Sequence, residues 1–379
     1  MIITMICDVL GEENNGTTIA AMNLIRHLRK CGHTVRIVCP DQQRKGKENY
    51  YVVPTMNFGK VLNKYVAKAG VVIAKTDKKI LEEAIEGADL VHIMIPLGLG
   101  LTAIKIAKQK NLPVTAGFHM QAEILTGYLK LDKLKFLNKV VYKYIYKHLY
   151  KYVDAIHYPT KFIQDVFESN VKHQTNGYVI SNGVHAYVQK KDVEKPQELK
   201  DKIVILSTGR YAKEKSQDTL IKALKYSKYE KDIQLIFAGQ GVKEKYYKKL
   251  SKNLTNAPIF KLYPRTELVD VINYCDLYVH PAVNEIEGIA CIEAVVCGKL
   301  TIATDSKLSA TRNFVVDEKC LFKSKNAKDL ARVIDFWIEN PDLKKQYEKI
   351  QLENALNFNQ DECMKQMEAM LIEVASEKK

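Results

Sequence analysis

Two carboxylates, Glu285 and Glu293, stand eight positions apart in the run Asn-Glu-Ile-Glu-Gly-Ile-Ala-Cys-Ile-Glu-Ala-Val-Val-Cys-Gly, residues 284–298. The preceding Tyr-Cys-Asp-Leu-Tyr-Val-His-Pro (274–281) reads as a short strand closed by Pro281. The apolar run after Gly288 reads as a buried helix. One acid then lies in a loop at the carboxyl end of a strand and the other in the first turn of a helix, with Glu287 as a third acid between them. The amides of Gly288, Ile289 and Ala290 open that helix, where backbone N–H groups lack partners and can hold a phosphate. Acids for sugar and ribose hydroxyls, with bare amides for the diphosphate between them, suit a sugar nucleotide. A second cluster, Ser-Thr-Gly-Arg-Tyr-Ala-Lys-Glu-Lys at 207–215, follows an apolar strand. Arg210 and Lys215 can both reach one diphosphate there and stabilise charge growing on a leaving oxygen.

These clusters resemble the E-x7-E and Gly-Arg…Lys motifs of the retaining, GT-B-fold glycosyltransferases, the large family typified by glycogen, mannosyl and glycolipid synthases. Bacterial glycolipid alpha-hexosyltransferases are the most similar members. The resemblance covers most of the chain and is densest from 203 to 300. It implies an α/β chain of GT-B type, two Rossmann-like doubly wound domains facing a cleft. It also implies that Glu285 binds the transferred sugar, Glu293 the ribose, and Arg210 and Lys215 the diphosphate. Asn14-Asn15-Gly16-Thr17-Thr18 is similar to the family's first glycine-rich loop, where Gly16 admits close backbone approach and Thr17 can cap. Because only Gly11 and Gly16 are available, the loop is not G-x-G-x-x-G, which disfavours a nicotinamide cofactor. His119, after strand 114–117, matches a family histidine that hydrogen-bonds a sugar hydroxyl. Ser181-Asn182-Gly183-Val184 resembles a hinge turn, and Ala238-Gly239-Gln240-Gly241 a turn that shapes the base pocket. Tyr263 joins the substrate-binding set. The implied activity is retaining transfer of a hexose from UDP-glucose or UDP-galactose to a membrane lipid, diacylglycerol or ceramide, with an alpha bond. The alternative is a polysaccharide or lipopolysaccharide enzyme with a sugar acceptor. Two departures leave the donor open: Glu287 stands where many members have Phe, and Thr304–Thr311 replaces a Gly-Gly turn.

No D-x-D pair is present, and no His/Cys cluster has zinc spacing, so no metal ligand and no cofactor beyond the nucleotide-sugar co-substrate are expected.

Alternating apolar runs and amphipathic stretches must position these residues. Strands are expected at 2–7, 34–39, 50–53, 89–95, 113–117, 154–158, 178–180, 203–208, 233–238, 259–262, 276–280 and 300–303, with helices between. The first helix is expected from Thr17 to Lys30. Residues 1–187 form the expected acceptor-binding domain, the polar segment 188–200 a linker, and 201–354 the nucleotide-sugar domain. A helix at 355–379 is expected to pack back on the first domain, as in the family.

The chain has 379 residues, 46% of them apolar, and carries a net charge of +14, which favours anionic partners. Lys133, Lys135, Lys139, Lys143, Lys147 and Lys151 fall within 133–153 with no acid among them. On a helical wheel Leu134, Leu137, Val141, Ile145, Leu149 and Val153 occupy the opposite face. A basic helix rimmed by tyrosines suits an anionic membrane surface, to which Arg44-Lys45-Gly46-Lys47 and the stretch 58–75 can add; a solvated helix face is the plainer reading. The amino terminus reads as a strand with no signal peptide, and no stretch is long and apolar enough to span a bilayer. A cytoplasmic protein, peripheral on the inner face of the membrane, is expected. The eight cysteines are expected as buried, reduced thiols. A nucleic-acid-binding role lacks any recognised module, so no nucleic-acid partner is expected. A nucleotide-sugar epimerase of related fold remains a rival, and the oligomeric state is open.

Overall fold

The computed structural model describes residues 1–10, 16–57, 73–95, 97–128 and 134–378. Gly11, Asn14, Asn15, the stretch 58–72 and Lys133 lie outside the described residues. The chain divides into two compact units, Met1–Asn182 with Asp361–Lys379, and Gly183–Gln360.

In the first unit β1 (Ile2–Ile6), β2 (Thr34–Cys39), β3 (Tyr50–Val52), β4 (Leu90–Ile93), β5 (Val114–Gly117), β6 (Ala155–Tyr158) and β7 (Gly177–Val179) form one sheet in the order β3-β2-β1-β4-β5-β6-β7. In the second, β8 (Ile203–Thr208), β9 (Ile233–Ala238), β10 (Ile259–Lys261), β11 (Leu277–His280), β12 (Thr301–Thr304) and β13 (Leu321–Phe322) run β10-β9-β8-β11-β12-β13. The pairs flanking the order reversals, β1 with β4 and β8 with β11, are parallel. Both units are therefore doubly wound, as expected. Helices cover both faces of each sheet, so the strands read as apolar runs. Period-two alternation sorts them: Ile205, Leu235, Val279 and Ile302 enter one core, and Val204, Leu206, Ile236 and Tyr278 the other. Only β13 has no sequence counterpart; two residues carry no periodicity.

Residues 188–200, expected as a linker, belong to the second unit. Val188 and Leu199 are buried in its core, and Asn273 ties the segment down by donating to the Gln189 carbonyl at 3.0 Å and accepting from the Lys191 amide at 2.8 Å. Polar composition hid these two apolar anchors. The chain instead leaves the first unit at Asn182–Gly183 and returns at Gln360–Asp361. Near these points the Val184 amide donates to Phe358 O at 2.7 Å and the Gln360 amide to Val184 O at 3.1 Å. The returning helix Gln360–Ser376 buries Cys363, Met364, Met367, Met370, Leu371 and Val374 in the core of the first unit, with β1, β2 and the helix Gly16–Lys30.

The basic helix spans Lys135–His148, shorter than expected, and a 3-10 turn follows at Tyr150–Tyr152. Its buried face is Asn138, Tyr142 and Ile145, continuing to Leu149, whereas Leu134 is exposed. The expected wheel was thus rotated, and two polar contacts explain why. Tyr142 donates to Glu123 at 2.7 Å and Thr126 donates to Asn138 at 2.6 Å, while the Tyr142 ring packs among Phe118 and Phe167. Buried polar groups keep such partners, and an apolar wheel does not register them. The face left outside carries Phe136, 80% exposed, with Val140, Tyr144, Lys135, Lys143 and Lys147.

All eight cysteines are free; seven are buried and Cys31 alone is exposed.

Candidate functional site

In open α/β sheets, ligands bind beyond the carboxyl ends of the strands where the strand order reverses. In the second unit that crevice opens between β8 and β11, paired through Ile205–Leu277 and Leu206–Tyr278. The loop after β8 brings Lys215, and the loop after β11 brings Glu285; the Lys215 ammonium donates to Glu285 Oε1. Both side chains are largely buried.

His280 ends β11, and its Nε2 lies 3.0 Å from Glu285 Oε1. Because that oxygen only accepts, Nε2 carries the proton. Nδ1 then accepts from the Tyr278 hydroxyl at 3.2 Å, and Tyr278 in turn accepts from Thr208 at 2.7 Å. A relay thus runs from β8 through β11 to Glu285. Burial lowers the pKa of His280 against the pull of Glu285, so the imidazole is neutral. Burial alone would raise Glu285, but the Lys215 charge and the His280 hydrogen bond prevail and hold it at about 2. Glu285 is therefore a fixed anion. Beside it, the buried Asn284 Oδ1 has no partner among the described residues. Such an orphan costs about 1–3 kcal/mol unless a ligand or water answers it.

Gly288 has φ +82, and a Cβ there would lie 2.5 Å from Thr311 Cγ2, so only glycine makes this turn. The helix Ile289–Val296 starts at once, with no side chain capping it. Glu287 is buried beside the turn, and Ile289 and Ala290 are half-buried at the helix start. Glu293 sits one turn further in than expected and pairs with Arg265, 3.0 Å away at the start of the helix Arg265–Tyr274. Burial raises its pKa against the Arg265 charge. Tyr187, Arg265, Leu268 and Glu293 line a shallow surface depression.

Arg210 is half-exposed and pairs with Glu214 at 3.3 Å, so it does not join the Lys215–Glu285 pair. Gly239 and Gly241 hold loops together: a Cβ on Gly239 would lie 2.1 Å from Gly209 O, and one on Gly241 2.6 Å from Tyr211 O. The loops after β8 and β9 are zipped at that approach, the Tyr211 amide donating to Gln240 O at 2.9 Å. Tyr263 lies under the Lys261 ammonium, 4.4 Å from its ring centre, and packs on the core.

In the first unit the corresponding reversal is at β1 and β4. Asp8 there accepts from the amides of Leu99 and Gly100 at 3.0 and 3.2 Å, capping the helix Gly98–Gln109. With Thr17 and Met94 it lines a small recess. Thr17 lies within the helix Gly16–Lys30 and not at a cap. Gly16 is exposed, with open space where a side chain would stand. His119 follows β5 and turns back over Gly117, where a Cβ would lie 2.6 Å from Nε2. That Nε2 is buried without a partner among the described residues, and burial, with His157 nearby, pushes its pKa well down.

His280, Arg265 and Asp8 were missed. His280 had one signal, its place at a strand end five residues before Glu285; Arg265 and Asp8 reach their partners only through the fold.

A model described as glycosyltransferase family 4 matches residues 14–186, and one described as glycosyl transferases group 1 matches residues 188–353. The chain is 24% identical, over 94% of its length and 83% of the relative's, to the alpha-monoglucosyldiacylglycerol synthase of Streptococcus pneumoniae. It is 41% identical to the catalytic domain of the cholesterol-alpha-glucosyltransferase of Helicobacter pylori, covering 41% of this chain and 99% of that one, with a TM-score of 0.40. HepE of Anabaena in complex with UDP covers 98% of this chain and 100% of its own, with a TM-score of 0.74 at 17% identity, and shares the GT-B fold.

Proposed function

Since the chain belongs to the glycosyltransferases, a family 4 domain followed by a group 1 domain, we propose that it transfers a hexose, with retention, from a nucleotide sugar to a membrane lipid. The observation that carries this reading is the Lys215–Glu285–His280 cluster at the reversal between β8 and β11. Glu285, ionised and oriented by His280, accepts hydrogen bonds from the sugar hydroxyls. Lys215 and the amides opening the helix Ile289–Val296 take the charge of the departing diphosphate. The anomeric C–O bond to the diphosphate breaks, the bond to the acceptor oxygen forms on the same face, and the acceptor proton passes to the departing diphosphate. Glu293, with Arg265, is assigned to the ribose and Arg210 to the outer phosphate. Gly16, Thr17 and His119 are assigned to the acceptor and sugar side. The reaction needs no metal.

Two features favour a lipid acceptor. The outer face of the helix Lys135–His148 combines Phe136, Val140 and Tyr144 with lysines, a composition suited to an anionic membrane surface. The relative of Streptococcus pneumoniae is named for a glucosylated diacylglycerol. Among the described residues no helix is long and apolar enough to cross a membrane.

The test is a screen of nucleotide sugars, UDP-glucose and UDP-galactose first, against anionic vesicles carrying diacylglycerol or ceramide and against soluble glycans. The expected product is an alpha-linked glycolipid, formed equally well in EDTA. Transfer to glycans alone would move the acceptor to the polysaccharide class, and no turnover of any donor would sink the reading.

A further inference from the structure

The helix Gly16–Lys30 ends at a point that no donor or acceptor role uses. His27 and Cys31 are one helical turn apart, so both side chains project from one face. Gly32, at φ +84, turns the chain and sends His33 back past the same end. From the far end of the sequence, the helix Gln360–Ser376 brings Glu368 to this place. Glu368 Oε2 lies 2.9 Å from His27 Nε2, and Oε1 lies 2.8 Å from His33 Nε2. Cys31 Sγ is 3.5 Å from His27 Nε2. The ligand atoms of His27, Cys31 and Glu368 all fall within 4.8 Å of one another.

We propose that His27, Cys31 and Glu368 form a site for a divalent transition ion of the zinc class, which fastens the carboxyl-terminal helix to the first helix. Zinc bonds of about 2.0–2.3 Å set neighbouring ligand atoms roughly 3.3–3.7 Å apart in a tetrahedron. The His27–Cys31 spacing of 3.5 Å matches such an edge and the His27–Glu368 spacing of 2.9 Å falls short of one, so an ion enters with an outward shift of the carboxylate. One thiolate and one carboxylate balance the two charges of the ion, and the imidazole binds neutral. Cys31 releases one proton to solvent on binding. The adjacent Glu368 carboxylate raises the Cys31 pKa against the smaller pull of Lys30 and Lys365, so the ion itself must displace the thiol proton. His33 holds the second carboxylate oxygen and fixes the direction of the first, the outer-partner arrangement common in metal sites. Water fills the fourth position. His, Cys and Glu together suit zinc, cobalt or nickel better than magnesium or calcium, which take oxygen ligands. The reading of the sequence found no zinc spacing because one ligand lies 337 positions beyond Cys31. Cys31, the one exposed cysteine, thereby gains a role that the seven buried thiols do not share.

Cobalt is the probe. Titration of Co²⁺ into the chelator-stripped full-length protein should show one equivalent bound, with a thiolate-to-cobalt charge-transfer band in the near ultraviolet. The Cys31→Ser variant, changed at an exposed position and therefore expected to fold, should lose that band. Glu368→Gln should weaken binding by about 10-fold or more. Zinc should slow hydrogen exchange in residues 360–376 of the wild type and not of Cys31→Ser. A missing band, or a band undiminished in Cys31→Ser, overturns the proposal and leaves His27, His33 and Glu368 as a hydrogen-bonded contact. No glycosyl transfer is measured, so failure here is separate from failure of the donor or acceptor reading.

Discussion

Glu285 carries an ammonium and an imidazole on one carboxylate oxygen. Removing the ammonium strands a buried anion, so Lys215→Ala acts twice. Turnover at saturating donor should fall by on the order of 10²-fold, because leaving-group charge loses its fixed partner. The fold should also lose about 3–5 kcal/mol, the usual cost of breaking one side of a buried pair. Adding Glu285→Gln should restore much of the stability and none of the turnover. Denaturant midpoints and steady-state rates on the three variants separate the two effects; equal stability in all three would mean the pair is not buried in solution. A pH dependence follows as well. The Glu285 carboxyl is held at about 2 against an ordinary 4.5. A depressed carboxyl stabilises the fold fully above its unfolded pKa and loses that contribution as pH falls toward its folded one. The stability gap between wild type and Glu285→Gln should therefore close progressively below pH 4.5. A gap that stays constant through that window would show that Glu285 is not held this way. At this scale the placement of Lys215 and Glu285 in the loops after β8 and β11 was legible, because each follows an apolar strand within a few residues. His280 was not, since a buried histidine at a strand end is recognisable as a positioning group only when its acceptor is known.

Loops and helices carry a second set of consequences. Gly239 and Gly241 lie against the backbone of the loop after β8, whereas Gly16 faces open space. Gly239→Ala and Gly241→Ala should each destabilise by at least about 1–3 kcal/mol, the ordinary cost of overpacking, and misplace the loop that bears Lys215. Gly16→Ala should leave the denaturant midpoint almost unchanged. If all three behave alike, the zipped loops are not rigid. The helix Lys135–His148 makes a prediction of its own. Lys139→Glu, Lys143→Glu and Lys147→Glu together should abolish sedimentation with anionic vesicles, and high salt should release the wild type. These lysines lie off the buried face of Asn138, Tyr142 and Ile145, so circular dichroism should be unchanged. Undiminished vesicle binding by a folded triple variant would reduce this helix to a solvated face. Among the described residues twelve of the thirteen strands were legible, because fully covered parallel strands are nearly all apolar. The rotation of this helix was not, because Glu123 and Thr126 select its inward face through polar contacts.

Across the whole chain, alternation made both doubly wound sheets legible, while the boundary between them was misplaced by a few residues. Polar composition marked 188–200 as a connection, although two apolar side chains bind it into the second core. The actual crossings, at Asn182–Gly183 and Gln360–Asp361, are joined by backbone hydrogen bonds from Val184 to Phe358 and from Gln360 to Val184. In genetic terms, the second unit is a cassette inserted into the first: one contiguous segment whose entry and exit lie side by side. Excising 183–360 leaves two ends that a short loop can close, and the excised piece keeps both of its own cores. A gene fusing Asn182 through a few glycines to Asp361 should yield a folded first unit with its closing helix in place, and residues 183–360 should fold when expressed alone. Cooperative unfolding of each fragment is the measurement, and aggregation of both would show that neither core suffices. Exchange of that cassette between relatives is then a one-step route by which such a chain could acquire a different second unit while keeping the first intact.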